Sequence, residues 1–270
     1  MTRVDPDVLA IVGRLIDEAS REDGRPPVIG VAGAQGCGKS TLAGEAAVVF
    51  GAVALSLDDV YLTRAERLVR SRDLHPLFAT RGPPGTHDLA LLNGVLDALQ
   101  AAGPDAATPL PAFDKLADER RPEADWRVVR GRPRAVILEG WCLGALSQSE
   151  EALHSPLNAL EREDDPQGVW RRGVNARLAG EYAAVFARLD RTLYLRPPAF
   201  EQVLDWRCEQ EAALLGVAKL PSGRRAELGR FVQHFERLTR RMMDGGVRAD
   251  AMVRLDADRR AVATGGVGAR

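Results

Sequence analysis

The pattern of hydrophobic and polar positions predicts strands that alternate with helices along most of the chain. Short apolar runs predict buried strands at 28–32, 52–57, 135–138, 192–195 and 252–255. Apolar residues at helical spacing predict helices over about 6–20, 40–50, 64–72, 89–102, 149–162, 173–188, 198–215 and 225–243. The segment 103–126 holds four prolines and is expected to be irregular. The alternation favours a three-layer α/β fold, with a mostly parallel sheet of about five strands and helices on both faces.

Composition and charge are ordinary for a globular protein. Of the 270 residues, 45% are hydrophobic and 28% are charged, and the formal net charge is −1. This nearly balanced charge gives no global electrostatic field that would attract nucleic acid or an anionic membrane, and we expect neither as a partner. The longest apolar run, 46–57, is interrupted by Gly51 and Ser56 and is shorter than the ~20 residues that cross a bilayer. We expect a single domain over 1–270, and the oligomeric state stays open.

The three cysteines, Cys37, Cys142 and Cys208, have neither a paired nor a metal-binding spacing. Residues 1–10 contain charges and a proline in place of an apolar signal core. Both observations fit a reducing compartment, so a cytoplasmic location is the expectation.

Residues 33–40 read GAQGCGKS, a complete phosphate-binding loop of the form G-x-x-x-x-G-K-[S/T]. Glycines allow successive backbone N–H groups to turn inward around phosphate oxygens, and the following helix directs the positive end of its dipole at the same anion. We expect the Lys39 side chain to reach the β and γ phosphates of ATP, and the Ser40 hydroxyl to bind Mg²⁺. The predicted nucleotide-binding residues are Gly33, Ala34, Gln35, Gly36, Cys37, Gly38, Lys39, Ser40 and Thr41.

Two predicted strands end in acidic residues, at the edge of the sheet where ligands collect in open α/β folds. Glu139 takes the place of a Walker B acid that holds Mg²⁺ through water, although a capping or solvated carboxylate is the alternative. Asp58 and Asp59 end the other strand, and either could accept a proton from an attacking hydroxyl. Asp59 is equally well explained as a turn or N-cap residue, so we favour Asp58 as the base.

Candidate acceptor-binding residues occupy two loops. Arg81, His87 and Asp88 share one loop rich in Gly and Pro, and Lys115 and Arg120 lie farther on, in the proline-containing irregular segment. Arginine and lysine suit a carboxylate or phosphate on the acceptor. Each residue also has an ordinary interpretation, because His87 could be a hydrogen-bonded loop histidine, Asp88 a helix cap and Lys115 a solvated charge.

Arg207 lies on the predicted helix 198–215, with Glu211 one turn farther on. This spacing is explained equally well by a surface ion pair and by a lid arginine that covers the phosphates. The sequence therefore predicts a small lid or insert at about 200–225.

In their order along the chain, these motifs resemble the D-glycerate 3-kinase-like branch of the P-loop kinases, which is related to phosphoribulokinase, uridine kinase and the bacterial type of pantothenate kinase. The segments that carry the resemblance are GVAGAQGCGKSTL, SLDDVYL, HPLFATRGPPGTHDL, PAFDK with Arg120, VILEGW and DWRCEQE. RGPPGTHDL and FDK are the more specific of these. The resemblance implies a P-loop NTPase fold and transfer of the ATP γ-phosphate to a hydroxyl of a small acid such as D-glycerate.

By matching position, the resemblance implies a role for each candidate. Lys39, Asp58 and Arg207 would act in catalysis, with Asp58 as the base and Arg207 on the lid. Ser40 and Glu139 would hold Mg²⁺. The acceptor site would contain Asp59, Tyr61, Arg81, His87, Asp88, Lys115 and Arg120.

Two alternatives stay open on the sequence. Within the kinases, the acceptor could be like uridine, pantothenate or ribulose phosphate, although an aromatic content of only 5% disfavours a pocket that stacks a pyrimidine. Outside the enzymes, the chain could be a nucleotide-binding regulatory protein without kinase activity. The intact Lys39, Ser40, Asp58 and Glu139 argue against that second alternative.

Overall fold

A computed structural model describes residues 4–266 except 21 and 23. Its strands are β1 (Val28–Gly33), β2 (Val53–Ser56), β3 (Ala107–Leu110), β4 (Phe113–Asp114), β5 (Glu119–Arg120), β6 (Arg127–Arg130), β7 (Val136–Gly140), β8 (Arg191–Arg196), β9 (Ala251–Leu255) and β10 (Ala261–Gly266). Its α-helices are α1 (Pro6–Ala19), α2 (Lys39–Phe50), α3 (Arg64–Asp73), α4 (Leu89–Ala101), α5 (Glu150–His154), α6 (Ala159–Asp164), α7 (Val169–Arg177), α8 (Ala183–Phe186), α9 (Glu201–Leu215) and α10 (Ser222–Met243).

The central sheet has six described strands in the order β10-β9-β8-β1-β7-β2. Parallel pairing joins all of them except β10, which runs antiparallel to β9. The mostly parallel sheet and the five predicted strands are confirmed. β10 is the additional strand, and its small residues with partly exposed side chains gave no apolar run that would have predicted it.

Helices cover both faces of this sheet, which confirms the three-layer fold. One apolar cluster packs α1 and α2 against one face of β1, β7 and β8, for example through Ile16 and Ala46. The other packs α4 and α10 against the opposite face, for example through Leu96 and Phe235. β1 and β7 are buried along their whole length, as is typical of parallel strands covered on both sides. None of the helices formed by the described residues combines the length and apolarity that a membrane span requires.

Two predictions of local structure are wrong. The segment 103–126 contains β3, which pairs with β6, and the hairpin of β4 and β5. In β3 the buried and exposed residues do alternate, but Pro109 hides the strand pattern. The helix predicted at 149–162 is split into α5 and α6, because Pro156 interrupts it and Asn158 caps a new start.

The helix predicted at 173–188 begins earlier, at Val169, and contains a π-helical turn at Leu178–Tyr182 between α7 and α8. The other predicted helices are found with ends that differ by a few residues. A π-helical turn inside an α-helix is uncommon and often occurs at a functional site. Tyr182, the last residue of this turn, contacts His87.

Candidate active site

The phosphate-binding loop, Asp58 and Glu139 meet at one edge of the sheet. They follow or end β1, β2 and β7, which are neighbouring parallel strands, so their carboxyl ends point the same way. A cleft of about 990 Å³ lies there, lined by the phosphate loop together with Asp58, Lys115 and Arg207. Nucleotide and acceptor elements predicted from separate parts of the sequence are thus brought to a single cavity.

The loop itself has the backbone shape that phosphate binding requires. Gly36 and Gly38 have φ values of 77° and 94°, which side chains rarely allow. Gly38 is the N-cap of α2 and provides no side-chain cap, so the first amides of α2 are left available for an anion. An added Cβ at Gly38 would meet no atom within 4 Å, which shows an open cradle above the loop. These features fit a polyphosphate.

Side chains of the loop lie around this cradle. The Lys39 ammonium lies 3.9 Å from a Glu139 carboxylate oxygen. Burial alone would lower the pKa of Lys39, but the charge of Glu139 raises it above its ordinary value, so the lysine is charged. The side-chain amide of Gln35 is buried and has no hydrogen-bond partner among the described residues. Cys37 is buried in the core, where burial raises the pKa of its thiol, so it acts as a small filler.

Ser40 and Glu139, the candidate metal ligands, are in direct contact. The Ser40 hydroxyl donates a 2.8 Å hydrogen bond to Glu139 Oε1, and the Ser56 hydroxyl donates one of 2.7 Å to the same oxygen. Hydroxyl and carboxylate oxygens are ligands that Mg²⁺ prefers. Among the described residues no group of three or more His, Cys, Asp or Glu could hold a metal alone. The Ser40 hydroxyl and the Glu139 carboxylate would hold a Mg²⁺ ion whose remaining ligands are phosphate oxygens and water.

Ser56 is a residue that the sequence reasoning missed. Besides holding Glu139, its hydroxyl accepts a 3.2 Å hydrogen bond from the Asp58 backbone N–H. It therefore couples the strand-end acid of β7 to the acid that follows β2. Its position directly before Leu57 and Asp58 at a strand end was the available signal, since such serines cap the turns they precede.

Asp58 lines the cleft, and each oxygen of its carboxylate accepts a hydrogen bond. Its Oδ1 accepts a 2.7 Å hydrogen bond from the Tyr61 hydroxyl, and its Oδ2 accepts one of 2.7 Å from the Lys115 ammonium. Burial alone would raise the pKa of Asp58, but the charges of Lys115 and Lys39 and these hydrogen bonds hold it well below its usual range. Asp58 is therefore ionised and faces the space above the phosphate loop.

Asp59 differs from its neighbour. Burial, and then the charge of Asp58, raise the pKa of Asp59 to about 6. It is not among the residues that line the cleft. The two adjacent acids, which the sequence could not separate on chemistry alone, are separated by their surroundings.

Behind Asp58 lies a stack of rings. The Tyr61 ring stacks on His87 at 4.7 Å between centroids and meets Phe113 edge-on at 5.2 Å. His87 is buried, and burial lowers its pKa to about 3, so the imidazole is neutral. Its Nδ1 lies 2.6 Å from the Tyr182 hydroxyl, and its Nε2 has no partner among the described residues.

Tyr182 is a second residue that the sequence reasoning missed. Its hydroxyl oxygen accepts a 2.9 Å hydrogen bond from the Gly85 backbone N–H and contacts His87. It therefore fixes both the Gly-Pro loop and the imidazole. The residue comes from the π-helical turn, far along the chain from His87, and nothing in its sequence spacing indicates this contact.

The remaining acceptor candidates form pairs with one another or with nearby acids. Arg81 pairs with Asp118, and Arg120 donates a 3.1 Å hydrogen bond to Asp88. Asp88 also caps α4 through the Leu91 N–H. None of these three candidates, Arg81, Asp88 and Arg120, is among the residues that line the cleft. Their role toward a substrate stays a prediction.

Arg207 reaches the cleft from α9. Its guanidinium lies 4.0 Å from Glu211, one turn farther along the helix, and 6.0 Å above the ring of Phe231. Burial lowers its pKa, but arginine remains charged in proteins. The ion pair that the sequence offered as one of two explanations is present, and Arg207 also lines the cleft beside the phosphate loop.

A third missed residue, Arg259, ties α9 to the phosphate loop. It donates a 2.6 Å hydrogen bond to the Gly36 carbonyl and one of 2.7 Å to Glu209, and it lies 5.3 Å above the ring of Trp206. Trp206 packs so closely on the loop that a Cβ at Gly36 would lie 2.6 Å from the Trp206 Cβ. Arg259 sits in the turn between β9 and β10, a position without any motif.

The chain is similar to proteins of known sequence and known structure. No family model matches the chain. The "Uncharacterized kinase mug58" of Schizosaccharomyces pombe is 32% identical over 237 residues, which cover 82% of this chain and 83% of that protein. The "D-glycerate 3-kinase, chloroplastic" of Arabidopsis thaliana is 30% identical over 207 residues, which cover 72% of this chain and 42% of that protein.

A solved structure has the same fold. D-glycerate 3-kinase from Cryptococcus neoformans superposes with a TM-score of 0.75 and covers 96% of this chain and 99% of its own. The sequence identity is 22%, so this likeness concerns the fold.

Proposed function

The chain belongs to the D-glycerate 3-kinase-like family of P-loop kinases, and we propose that its acceptor is a small hydroxy acid, with D-glycerate as the first candidate. As a member of that family it is a phosphotransferase that binds ATP and acts on a small molecule. The finer question is which molecule receives the phosphate, and the acceptor end of the cleft bears on it.

The observation that carries this proposal is the position of Lys115. Its ammonium lines the same cleft as the phosphate loop and lies 2.7 Å from Asp58, the candidate base. A cation beside the base suits an acceptor whose carboxylate is close to the hydroxyl that reacts.

In this proposal the residues of the chain share the work of phosphoryl transfer. Asp58 accepts the proton of the acceptor hydroxyl as its oxygen bonds to the γ-phosphorus. The bond from that phosphorus to the β–γ bridging oxygen breaks, and ADP and a phosphate ester are formed. Lys39 and the first amides of α2 stabilise the charge on the phosphates, and these groups are in place before the reaction. A Mg²⁺ ion on Ser40 and Glu139 would neutralise part of the same charge.

We extend the proposal to α9 as a lid. Arg207 faces the cleft from this helix, and Arg259 links the neighbouring Glu209 to the Gly36 carbonyl of the loop. A lid in this position would exclude water from the γ-phosphate during transfer. The proposed lid comprises α9 and the connection that follows it, within the predicted range of about 200–225.

The test is ADP release from Mg-ATP with a panel of acceptors: D-glycerate, L-glycerate, pantothenate, uridine and ribulose 5-phosphate. We expect D-glycerate to stimulate release, and the Lys39→Ala variant to abolish that stimulation. Release stimulated by uridine or pantothenate and not by D-glycerate would replace the acceptor while keeping the kinase. Intact ATP binding with no stimulation by any acid in the panel would contradict the proposed substrate class.

A further inference from the structure

We propose that Lys115 is a latch on Asp58, which the carboxylate of the acceptor opens by taking the Lys115 ammonium for itself. Asp58 would then serve as a base only when an acidic acceptor is bound, and water would be excluded as an alternative acceptor by chemistry as well as by space. This inference rests on the proposed function, because it takes the acceptor to be an acid. It assigns to Lys115 a specificity role that goes beyond binding the substrate.

The first step concerns the state of the base. Each oxygen of the Asp58 carboxylate already accepts a 2.7 Å hydrogen bond, one from Tyr61 and one from Lys115. Both donors favour the ionised carboxylate and therefore weaken it as a proton acceptor. An acceptor hydroxyl can still reach a free lone pair on either oxygen, but Asp58 becomes a stronger base once one of the two donors has left.

The second step identifies which donor leaves. Tyr61 is 4% exposed and its ring is held between His87 and Phe113, so its hydroxyl is fixed. The Lys115 side chain is 57% exposed, and its ammonium has no other hydrogen-bond partner among the described residues. Ion pairs this exposed add little net stability and exchange easily. Lys115 is therefore the donor that a competing carboxylate can remove.

The third step shows that the exchange needs no movement of the main chain. Asp118, at φ 56°, closes the β4–β5 hairpin and is held by both Arg67 and Arg81. Arg81 also donates a 3.1 Å hydrogen bond to the Lys115 carbonyl. Since Arg67 is almost wholly buried, the backbone on which Lys115 stands is anchored. Rotation about the flexible lysine side chain is enough to carry the ammonium from Asp58 to an acceptor carboxylate.

The consequence is a kinase that protects its ATP when no acceptor is present. With the latch closed, Asp58 is a poor base for a water molecule beside the γ-phosphate. With the latch removed, Asp58 can accept a proton from that water as the water oxygen bonds to the γ-phosphorus and the bond to the β–γ bridging oxygen breaks. The products are then ADP and inorganic phosphate. A lysine that only pinned the hairpin would have no such effect.

The decisive experiment measures ADP release from Mg-ATP with no acceptor added. We expect Lys115→Met, and a second variant Lys115→Gln, to raise this acceptor-free hydrolysis by about tenfold, because the freed Asp58 becomes a stronger base. Combining Lys115→Met with Asp58→Asn should return hydrolysis to the wild-type level or below. Arg121→Met is the matched control, because Arg121 is a cation next to the same hairpin and pairs with Asp114 instead of Asp58. It should leave hydrolysis unchanged.

A second readout uses the charge of the acceptor. In the wild type, kcat/KM for D-glycerate should exceed that for glycerol, which has the same hydroxyls without the carboxylate. In both Lys115 variants this ratio should fall by at least about tenfold, because the group that distinguishes the two acceptors is gone.

The outcomes separate the latch from the proposed function. Unchanged acceptor-free hydrolysis in both Lys115 variants, with ATP affinity and thermal unfolding as in the wild type, would overturn the latch whatever the acceptor is. Failure of every acid in the panel to stimulate the wild type would overturn the proposed function, and the hydrolysis result would still be readable. Should one Lys115 variant fail to fold, the other decides.

Discussion

The two ends of the cleft are built in different ways. The nucleotide end comes from consecutive residues, 33–41, and its binding groups are mostly main-chain amides held by the loop and by the start of α2. The proposed acceptor end is assembled from side chains on the turn after β2, the Gly-Pro loop, the β4–β5 hairpin and the π-helical turn. A site built from the backbone needs a correct local conformation, whereas a site built from side chains needs distant segments to pack correctly.

The charged pairs at the two ends of the cleft also differ, in how deeply they are buried. At the nucleotide end, Lys39 and Glu139 are both mostly buried and sit 3.9 Å apart on rigid elements. At the acceptor end, the Lys115–Asp58 pair is partly exposed on the lysine side and can exchange partners. In the latch proposal, the nucleotide end stays the same at every turnover, while the acceptor end responds to what is bound. Four predictions test this contrast, from the largest expected effect to the smallest.

Asp58→Asn should produce the largest loss and confine it to the acceptor end. The amide keeps the shape of the side chain but cannot accept the hydroxyl proton, so kcat should fall by roughly 10³-fold. The Kd for ATP should stay within about twofold, because the nucleotide end does not depend on Asp58. Steady-state kinetics and calorimetric ATP titration measure the two quantities. Asp59→Asn is the control and should cost far less; near-normal turnover in Asp58→Asn would remove Asp58 from the mechanism.

Gly36→Ala should weaken the nucleotide end and leave the acceptor end almost unchanged. The new Cβ would lie 2.6 Å from the Trp206 Cβ, at a backbone φ of 77° that alanine resists. A strain of about 2 kcal/mol should weaken ATP binding by roughly 30-fold, with the acceptor KM at saturating ATP almost unchanged.

Gly44→Ala is the matched control on α2. A Cβ at Gly44 would meet nothing within 4 Å, so this change should leave ATP affinity intact and raise the free energy of unfolding by about 0.5–1 kcal/mol. Equal ATP affinities for the Gly36 and Gly44 variants would mean that the contact with Trp206 does not shape the loop.

Tyr182→Phe should weaken the packing of distant segments on which the acceptor end depends. It removes the hydroxyl that accepts from the Gly85 N–H and contacts His87, which leaves both groups unpaired in the interior. The free energy of unfolding should fall by about 1–3 kcal/mol, and the acceptor KM should rise more than the ATP KM.

Tyr194→Phe provides the comparison, because the Tyr194 hydroxyl is buried without a hydrogen-bond partner among the described residues. Its removal should change stability by less than ~0.5 kcal/mol or increase it. Denaturant unfolding of both variants gives the numbers. A Tyr182 variant as stable as the Tyr194 variant would show that the Tyr182 contacts contribute nothing.

The smallest effect concerns pH and His87. Its pKa is about 3 in the folded protein and near 6.5 when unfolded, so the unfolded chain binds more protons between these values. Stability is therefore complete above pH 6.5 and is lost as the pH falls through this window. His87→Gln should flatten that loss, by about 1 kcal/mol between pH 6.5 and 5.5. His234 acts in the same direction and Asp59 in the opposite one, but both remain in the variant and cancel in the difference. Identical pH slopes would mean that His87 is not buried in its neutral form.

Much of the nucleotide end could be predicted from the sequence, because its structure is local. The loop at 33–40, the helix after it and the acids at strand ends are short-range patterns, and each was found close to where it was expected. The five predicted strands share this origin, since each is a single apolar run. The failures were places where a proline masked the strand pattern, as at Pro109, or interrupted a predicted helix, as at Pro156.

The acceptor end was only partly predictable. Its residue types could be named, but Tyr182 could not, because its importance comes from a contact across 95 positions of the chain. Arg259, which binds the phosphate loop, was missed for the same reason, across 223 positions. Nor could the sequence say that Arg81 and Arg120 would pair with nearby acids in the folded chain.

By itself, the sequence determined that this protein is a P-loop kinase, since consecutive residues and strand-end acids are enough to make a phosphate site at the edge of a parallel sheet. Only the tertiary structure distinguishes the surroundings of Asp58 and Asp59, of which the sequence already favoured Asp58 as the base. Burial and neighbouring charge set their opposite pKa shifts, and both depend on segments that meet only when the chain is folded. It also decided which partner of Asp58 is enclosed and which is exposed, because rings surround Tyr61 whereas Lys115 faces solvent.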